Sequence, residues 1–254
     1  MRIATFNVLN GRSPADEWVD PVRFRAAIAS LDADVLGLQE VDVNQPRSDR
    51  ADLTALAAEA MGAVDHRFVA ALAGTPASWS GASGDEAAGA PAYGVALLSR
   101  YAVRDWSVVR LPPAPVRLPY RFEGRVRPEW VRDEHRAAVL AELETPIGPM
   151  RVATTHLSFL PWWNGRQLRL LMGSLGAGAG PTVLTGDLNM RPGRAGRITG
   201  MTSLASGATF PADRPGVQLD HILCTEQLEG TGGPLALEIS DHRALVVDLQ
   251  VPGS

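Results

Sequence analysis

Five short segments of this 254-residue chain end an apolar run on a side chain capable of chemistry. They are Thr5-Phe6-Asn7, Leu38-Gln39-Glu40, Thr155-His156-Leu157, Gly186-Asp187-Leu188-Asn189 and Ser240-Asp241-His242. Each alone has an ordinary alternative: a glutamate there is usually a solvated cap, a histidine usually structural, and Asp-Leu-Asn a common turn. Together, Asn7, Glu40, Asp187, Asn189 and Asp241 offer hard oxygen donors of the kind that suit Mg²⁺, with Mn²⁺ as a plausible substitute. Five histidines spread over the chain and a single thiol do not make a zinc cage. Mg²⁺ typically takes one or two carboxylates and fills its other positions with water and phosphate oxygens. The chemistry expected is therefore that of a phosphate ester.

Residues scattered from Asn7 to His242 meet only if several strands end at one place, which is how α/β folds gather a site at a sheet edge. Short apolar runs with strand character recur at 2–8, 35–41, 95–99, 137–144, 151–157, 182–185, 217–224 and 244–251. Amphipathic helical stretches lie between some of them, at 21–31, 53–61 and 167–175. Strands outnumber helices, so the pattern points to an α/β sandwich and not to an alternating barrel. Residues 73–92, rich in Ala, Gly and Ser, read as a surface loop. Residues 110–136 carry seven arginines against four carboxylates, a local positive bias. Neither segment reads as a linker, since strands on both sides are needed to complete the motifs, and one domain over 1–254 is expected.

Composition narrows the partners. The net charge of -4 denies the chain a global field for nucleic acid, so any basic face must be local, and every basic residue outside the histidines is an arginine. One cysteine, Cys224, rules out an intrachain disulfide and favours a reducing compartment. Met1 leads straight into a short strand with no apolar signal, and no run reaches the roughly 18 apolar residues of a membrane span. A cytoplasmic monomer is expected.

The ordered set TFN, LQE, YGVALLSR, TTHLS, TGDLNM, QLDHIL and SDHRAL resembles the endonuclease/exonuclease/phosphatase superfamily over residues 5–248. The resemblance implies a four-layer α/β/β/α sandwich, deoxyribonuclease I-like, with the site at the top edge of two packed sheets. It implies that Glu40 is the principal metal carboxylate, with Asn7 and Asp241 near the metal. Asp187 matches the residue that orients or deprotonates the attacking water, helped by Asn189. His242 matches the histidine on the scissile phosphate, Asp220 the carboxylate that orients it, and His156 a second phosphate-facing histidine. These roles make physical sense. The transition state gains negative charge, which a divalent ion and a protonated imidazole stabilise, and a carboxylate on the far ring nitrogen keeps that imidazole charged.

Some positions depart from the family. Where the secreted deoxyribonuclease branch carries a glutamate to partner the first histidine, this chain has Tyr93, which leaves His156 without an expected carboxylate. His221 replaces a common tyrosine and, one residue from Asp220 on a strand, points to the opposite face. Arg136, heading a strand that ends near the site, is a candidate for substrate phosphate. The arginines of 110–136, interleaved with Tyr120, Phe122 and Trp130, form either a stacking and phosphate-binding lip or a solvated loop. Trp162 and Trp163, following His156, either grip a base or apolar substrate group or pack on helix 167–175. His66 and His135 read as surface or packing residues and Cys224 as core. Expected function is metal-dependent phosphoester hydrolysis, nuclease first and small-molecule phosphatase or phosphodiesterase second. A lipid phosphodiesterase and an inactive scaffold are further alternatives.

Overall fold

The computed structural model describes residues 1–120, 126–176, 178, 180–226 and 228–250. Arg121, Phe122, Glu123 and Arg125 of the expected lip, and Val251 of the last expected strand, lie outside the described residues. In chain order the first half holds β1 (Arg2–Asn7), α1 (Pro21–Ser30), β2 (Val35–Val43), α2 (Leu53–Met61), β3 (Asp65–Ala73), β4 (Ser80–Gly81), β5 (Ala92–Ser99) and β6 (Val103–Leu111). Then come β7 (Arg117–Tyr120), β8 (Glu129–Arg132), β9 (Arg136–Thr145), β10 (Gly148–His156), α3 (Pro161–Ser174), β11 (Thr182–Asp187) and α4 (Pro192–Thr199). The chain closes with β12 (Thr202–Ser203), β13 (Asp220–Cys224), β14 (Gly230–Leu235) and β15 (Ala244–Leu249).

Among the described residues the strands form two large sheets, one ordered β14-β15-β1-β2-β5-β3-β4 and the other β12-β13-β11-β10-β9-β6, with β7 and β8 as a separate hairpin. Alternation along each strand makes the layers. From the first sheet Ile3, Val35 and Leu97 meet Val139, Val152, Val183 and Ile222 of the second, which is the central core. The opposite face of the first sheet, Ala4, Phe6, Leu36 and Leu38, packs under Phe24 and Ile28 of α1 and Leu53 and Ala57 of α2. The outer face of the second, Leu140, Ala153, Leu184 and Leu223, is covered by Leu168 and Leu171 of α3 and Ala195 of α4. The result is the four-layer α/β/β/α sandwich.

Near the site this core turns polar. Gln39 Nε2 donates to Thr5 Oγ1 at 3.0 Å and, across the sheets, to Thr154 Oγ1 at 2.9 Å. Gly37 makes room, since a Cβ there would lie 2.5 Å from both Thr154 Oγ1 and Thr185 Oγ1. The hydrogen bonds satisfy groups that would otherwise be costly to bury, and they pin the two sheets together one layer below the strand ends.

Several expectations about elements change. β3, β6 and β14 are strands that the apolar-run reading passed over. β14 is glycine-rich and sits at an edge, where a Cβ on Gly232 would lie 2.0 Å from Val246 O, so its pairing is a backbone matter. The third helix begins at Pro161, which suits a first helical position, so Trp162 and Trp163 lie on its first turn and not in a loop. The stretch 73–92 is anchored: Trp79 stacks on Tyr93 at 5.3 Å, and the Arg47 guanidinium lies 5.2 Å from the Trp79 ring. Among the described residues no helix is long and apolar enough to cross a membrane.

Candidate active site

Strand register delivers the ionisable residues. Asn7 ends β1 beside Gln39 of β2; His156 ends β10 opposite Asp187 of β11; and Asp187 pairs with Asp220, the first residue of β13. Asn7, His156, Asp187 and Asp220 share the inward parity of Ile3, Val152, Val183 and Ile222, so all four converge above the central core. His221 has the other parity, and its Nε2 lies 2.8 Å from Met190 O.

Glu40 reaches the site by a different route. Regular alternation would send it to the helix side with Leu38. Instead a bulge breaks the β2–β5 pairing between Leu38 and Val41, and Glu40 sits at a φ of 58°. A positive φ costs a non-glycine residue about 1–2 kcal/mol, and bulges re-aim side chains next to sites. Here the bulge brings the carboxylate to Asn7, whose Nδ2 donates to Glu40 Oε1 and to Asp187 Oδ2, each at 3.1 Å. A second local device sits before β15. Ser240, at a φ of 71°, donates from Oγ to Asn7 O at 2.5 Å and accepts the His242 N–H at 3.0 Å. That turn places Asp241-His242 against the end of β1.

His242 and Asp220 form a couple, with Nδ1 to Oδ2 at 2.8 Å, and the Phe210 ring tilts against the imidazole at 4.8 Å. Burial alone would discharge His242. The charge and hydrogen bond of Asp220, with the charges of Asp187 and Asp241, outweigh it and raise the imidazolium pKa to about 10. Asp187 responds in the opposite sense. Burial raises its carboxyl to about 7, helped by Asp220 and opposed by the His242 charge, the Asn189 N–H and the Asn7 amide. Glu40 is likewise raised, first by burial and then by the charge of Asp241, against the Asn7 hydrogen bond. Asp241 thus joins the centre through its charge on both Glu40 and His242.

His156 is held in the other protonation state. Burial, then the charges of Arg136 and His242, keep it well below the ordinary histidine range. Arg136 Nη1 lies 3.2 Å from His156 Nδ1, and a guanidinium only donates, so Nδ1 accepts and the proton sits on Nε2. That Nε2 is 3.5 Å from Asp187 Oδ2, and His242 Nε2 is 3.8 Å from the same oxygen. Two imidazole edges, one neutral and one charged, therefore face one carboxylate. Asn189 brings its Nδ2 to 3.3 Å from His156 Nε2. Its N–H donates to Asp187 Oδ1 at 2.9 Å, and its Nδ2 donates to Leu157 O at 3.0 Å.

Asp187, Asp220 and His242 present donor atoms all within 4.8 Å, a spacing that would suit a shared cation. The Asp220–His242 hydrogen bond takes Asp220 Oδ2 and leaves Asp220 Oδ1 buried without a hydrogen-bond partner, while Glu40 and Asp187 gather their carboxylates around the Asn7 amide.

Seven of the predicted residues, Asn7, Glu40, His156, Asp187, Asn189, Asp220 and His242, thus form one contiguous network. Arg136 is 6% exposed and lies behind His156, paired with Glu134 at 3.3 Å. The tryptophans divide. Trp163 packs with Ala114 and Leu160 and gives its Nε1–H to Pro112 O at 2.9 Å, which leaves Trp162, 50% exposed, as the one with open ring surface. Sequence reasoning missed Phe210, the Arg136–Glu134 pair and Asn164, whose Nδ2 donates to Asn189 O at 2.7 Å. Asn164 left a readable signal, an amide on the buried face of a helix. Phe210 left none.

A model of the Endonuclease/Exonuclease/phosphatase family matches residues 4–242. No curated protein matches. Among solved structures, an endonuclease/exonuclease/phosphatase from Beutenbergia cavernae superposes with a TM-score of 0.70 at 24% identity, over 100% of this chain and 72% of that one. A mannosyl-6-phosphatase from Bacteroides thetaiotaomicron gives a TM-score of 0.67 at 16% identity, covering 98% and 99%. A beta toxin variant from Staphylococcus aureus with bound magnesium ions gives 0.66 at 12% identity, again covering 98% and 99%. With the family model spanning nearly every strand that supplies the site, this chain belongs to the endonuclease/exonuclease/phosphatase family.

Proposed function

We propose that this chain is a divalent-metal-dependent phosphoester hydrolase that cleaves a phosphodiester by in-line attack of water, with nucleic acid as the first substrate class. The observation that carries the reading is Asp187 Oδ2, which lies 3.1 Å from the Asn7 amide, 3.5 Å from His156 Nε2 and 3.8 Å from His242 Nε2. A single carboxylate oxygen bordered by a neutral and a charged imidazole suits a water to be deprotonated and a phosphoryl group to be held.

The donor set fits a hard dication. Glu40 and Asp241 would offer carboxylate oxygens beside the Asn7 amide, and burial and like charge raise the Glu40 carboxyl, an imbalance that a cation relieves. Mg²⁺, or Mn²⁺ in its place, supplies charge stabilisation on the phosphoryl oxygens and a lowered pKa for bound water. Asp187 orients the water and accepts its proton, a task suited to a carboxyl near pKa 7. Asn189 fixes the other Asp187 oxygen. His242, charged through Asp220, donates to the scissile phosphate, and His156 donates from Nε2 as a neutral group. Arg136 acts on the substrate through His156, and Trp162 offers an exposed ring for a base or other apolar group.

A small-molecule phosphate ester is the second reading, favoured by the net charge of -4. The test is turnover of plasmid, single-stranded DNA, RNA, sugar phosphates and bis-p-nitrophenyl phosphate with Mg²⁺ or Mn²⁺. Polymer cleavage that disappears in Asp187→Asn is expected. Turnover of small esters alone selects the second reading, and unchanged turnover in Asp187→Asn overturns the role of Asp187.

A further inference from the structure

A cleft of about 630 Å³ opens beside the catalytic centre, with Asn189 in its wall. Arg191, Arg194 and Arg197 line it together with Val217 and Leu219. The three arginines recur at every third position, from the cap of α4 through the helix, so they share one face. None of the three makes an ion pair or side-chain hydrogen bond among the described residues, while most of the other arginines have a carboxylate or carbonyl partner. No carboxylate lines the cleft.

The placement of Arg194 is built in. It is half-buried, and its Nη2 would lie 2.6 Å from a Cβ on Gly165 of α3, so the absent side chain there is what admits the guanidinium. One residue earlier on α3, Asn164 donates to Asn189 O in the loop that leads into α4. One interface therefore sets both the catalytic amide and the arginine row.

Three unneutralised guanidinium groups over an apolar floor, in a protein of net negative charge, make a local attractor for anions. From these contacts we propose that the cleft is a subsite for a second phosphate of the substrate, on the Asn189 side of the scissile one. Guanidinium groups take phosphate oxygens in bidentate fashion, and Val217 and Leu219 offer an apolar bed for the sugar or base between the two phosphates. The proposal rests on the hydrolase reading and narrows it to substrates with at least two phosphates. Two sources share that chemistry, a polynucleotide strand and a small bisphosphorylated nucleoside or sugar.

The experiment compares wild type with the triple variant Arg191→Gln, Arg194→Gln, Arg197→Gln. Substrates are the p-nitrophenyl ester of thymidine 5′-phosphate, the same ester with a 3′-phosphate, and a short oligothymidylate. In the variant the ratio of KM for the 3′-phosphorylated ester to that for the plain ester should rise about tenfold or more, with kcat little changed. For the oligothymidylate the slope of log KM against log salt should fall by roughly 2. A rise in KM confined to the oligothymidylate assigns the cleft to a strand; a rise for the 3′-phosphorylated ester as well assigns it to the phosphate itself. Equal ester ratios in the two proteins, together with an oligothymidylate KM and salt slope that do not change, overturn the subsite. A parallel binding measurement keeps this apart from the hydrolase reading. In an Asp187→Asn background, a fluorescent oligothymidylate and thymidine 3′,5′-bisphosphate should bind more weakly once the arginines are replaced. Arginine-dependent binding without any hydrolysis by wild type would retain the subsite and reject the hydrolase, whereas hydrolysis with arginine-independent binding would do the reverse.

Discussion

Replacing Asp220 by asparagine removes a charge and keeps the shape. The amide oxygen of the variant still accepts from His242 Nδ1, so the ring stays oriented while its electrostatic support is lost. In the native protein that support holds the imidazolium pKa at about 10 against burial, from an ordinary 6.5. Without it, burial is opposed only by the charges of Asp187 and Asp241, and the pKa falls toward the ordinary 6.5. Near pH 8 the native imidazole is ~99% protonated and a ring at the ordinary value about 3%. If catalysis needs the charged ring, kcat/KM falls about 30-fold near pH 8 but less than about twofold near pH 5.5. The acid limb set by Asp187 moves in the variant, because the Asp220 charge raises that carboxyl and the His242 charge lowers it, so each profile is fitted with its own acid limb. The sign for stability follows. A raised histidine pKa contributes stability that is present below about 6.5 and lost as pH rises through about 10. In the variant that alkaline loss should disappear from the melting profile. The assay is a pH–rate profile on bis-p-nitrophenyl phosphate at saturating Mg²⁺, with thermal melts at each pH. A loss independent of pH, or one below threefold near pH 8, would refute the charged-imidazole argument.

Other perturbations test neighbouring links. Glu40→Gly relieves the positive φ while deleting the carboxylate; without divalent ions the melting temperature should rise, by about 1 kcal/mol in stability, whereas Mg²⁺-dependent turnover should be lost. A lower melting temperature would show that the bulge is unstrained. Gly37→Ala drives a Cβ to 2.5 Å from two threonine oxygens and should cost about 1–3 kcal/mol or more in a urea titration. A neutral result would mean the polar layer is loosely packed. Arg136→Met removes the donor to His156 Nδ1 and a neighbouring positive charge, so the His156 pKa should climb and its Nε2-protonated tautomer should lose dominance. Nitrogen NMR of the ring would read both, and an unchanged tautomer would locate its cause elsewhere.

Much of this centre is readable from strand ends. Asn7, His156, Asp187 and Asp220 each close or open an apolar run, and parity alone turns them inward together. Glu40 shows where such reading stops. Its position in Leu38-Gln39-Glu40 marks it, yet regular alternation assigns it to the helix side, and the bulge that corrects this depends on β5 pairing across it. The Arg136–His156 contact joins adjacent strands through a side chain outside every motif, so its consequence, a neutral histidine where Tyr93 replaces an expected glutamate, appears only with coordinates. Trp163 follows the same rule. Two adjacent tryptophans read as one aromatic feature until a helical turn separates them, one into the core and one onto the surface. β14 is glycine-rich and α4 spans only 8 residues, so neither stands out as an apolar run in the sequence.

Anomalous diffraction from crystals soaked in Mn²⁺ addresses the metal centre without relying on any substrate. An ion bonded to the Glu40 carboxylate at about 2.1–2.2 Å, within the pocket bounded by Asn7, Asp187 and Asp241, and absent from Glu40→Gln crystals, is the predicted result. Ordered Mn²⁺ found only elsewhere on the protein, with none at Glu40, would contradict it.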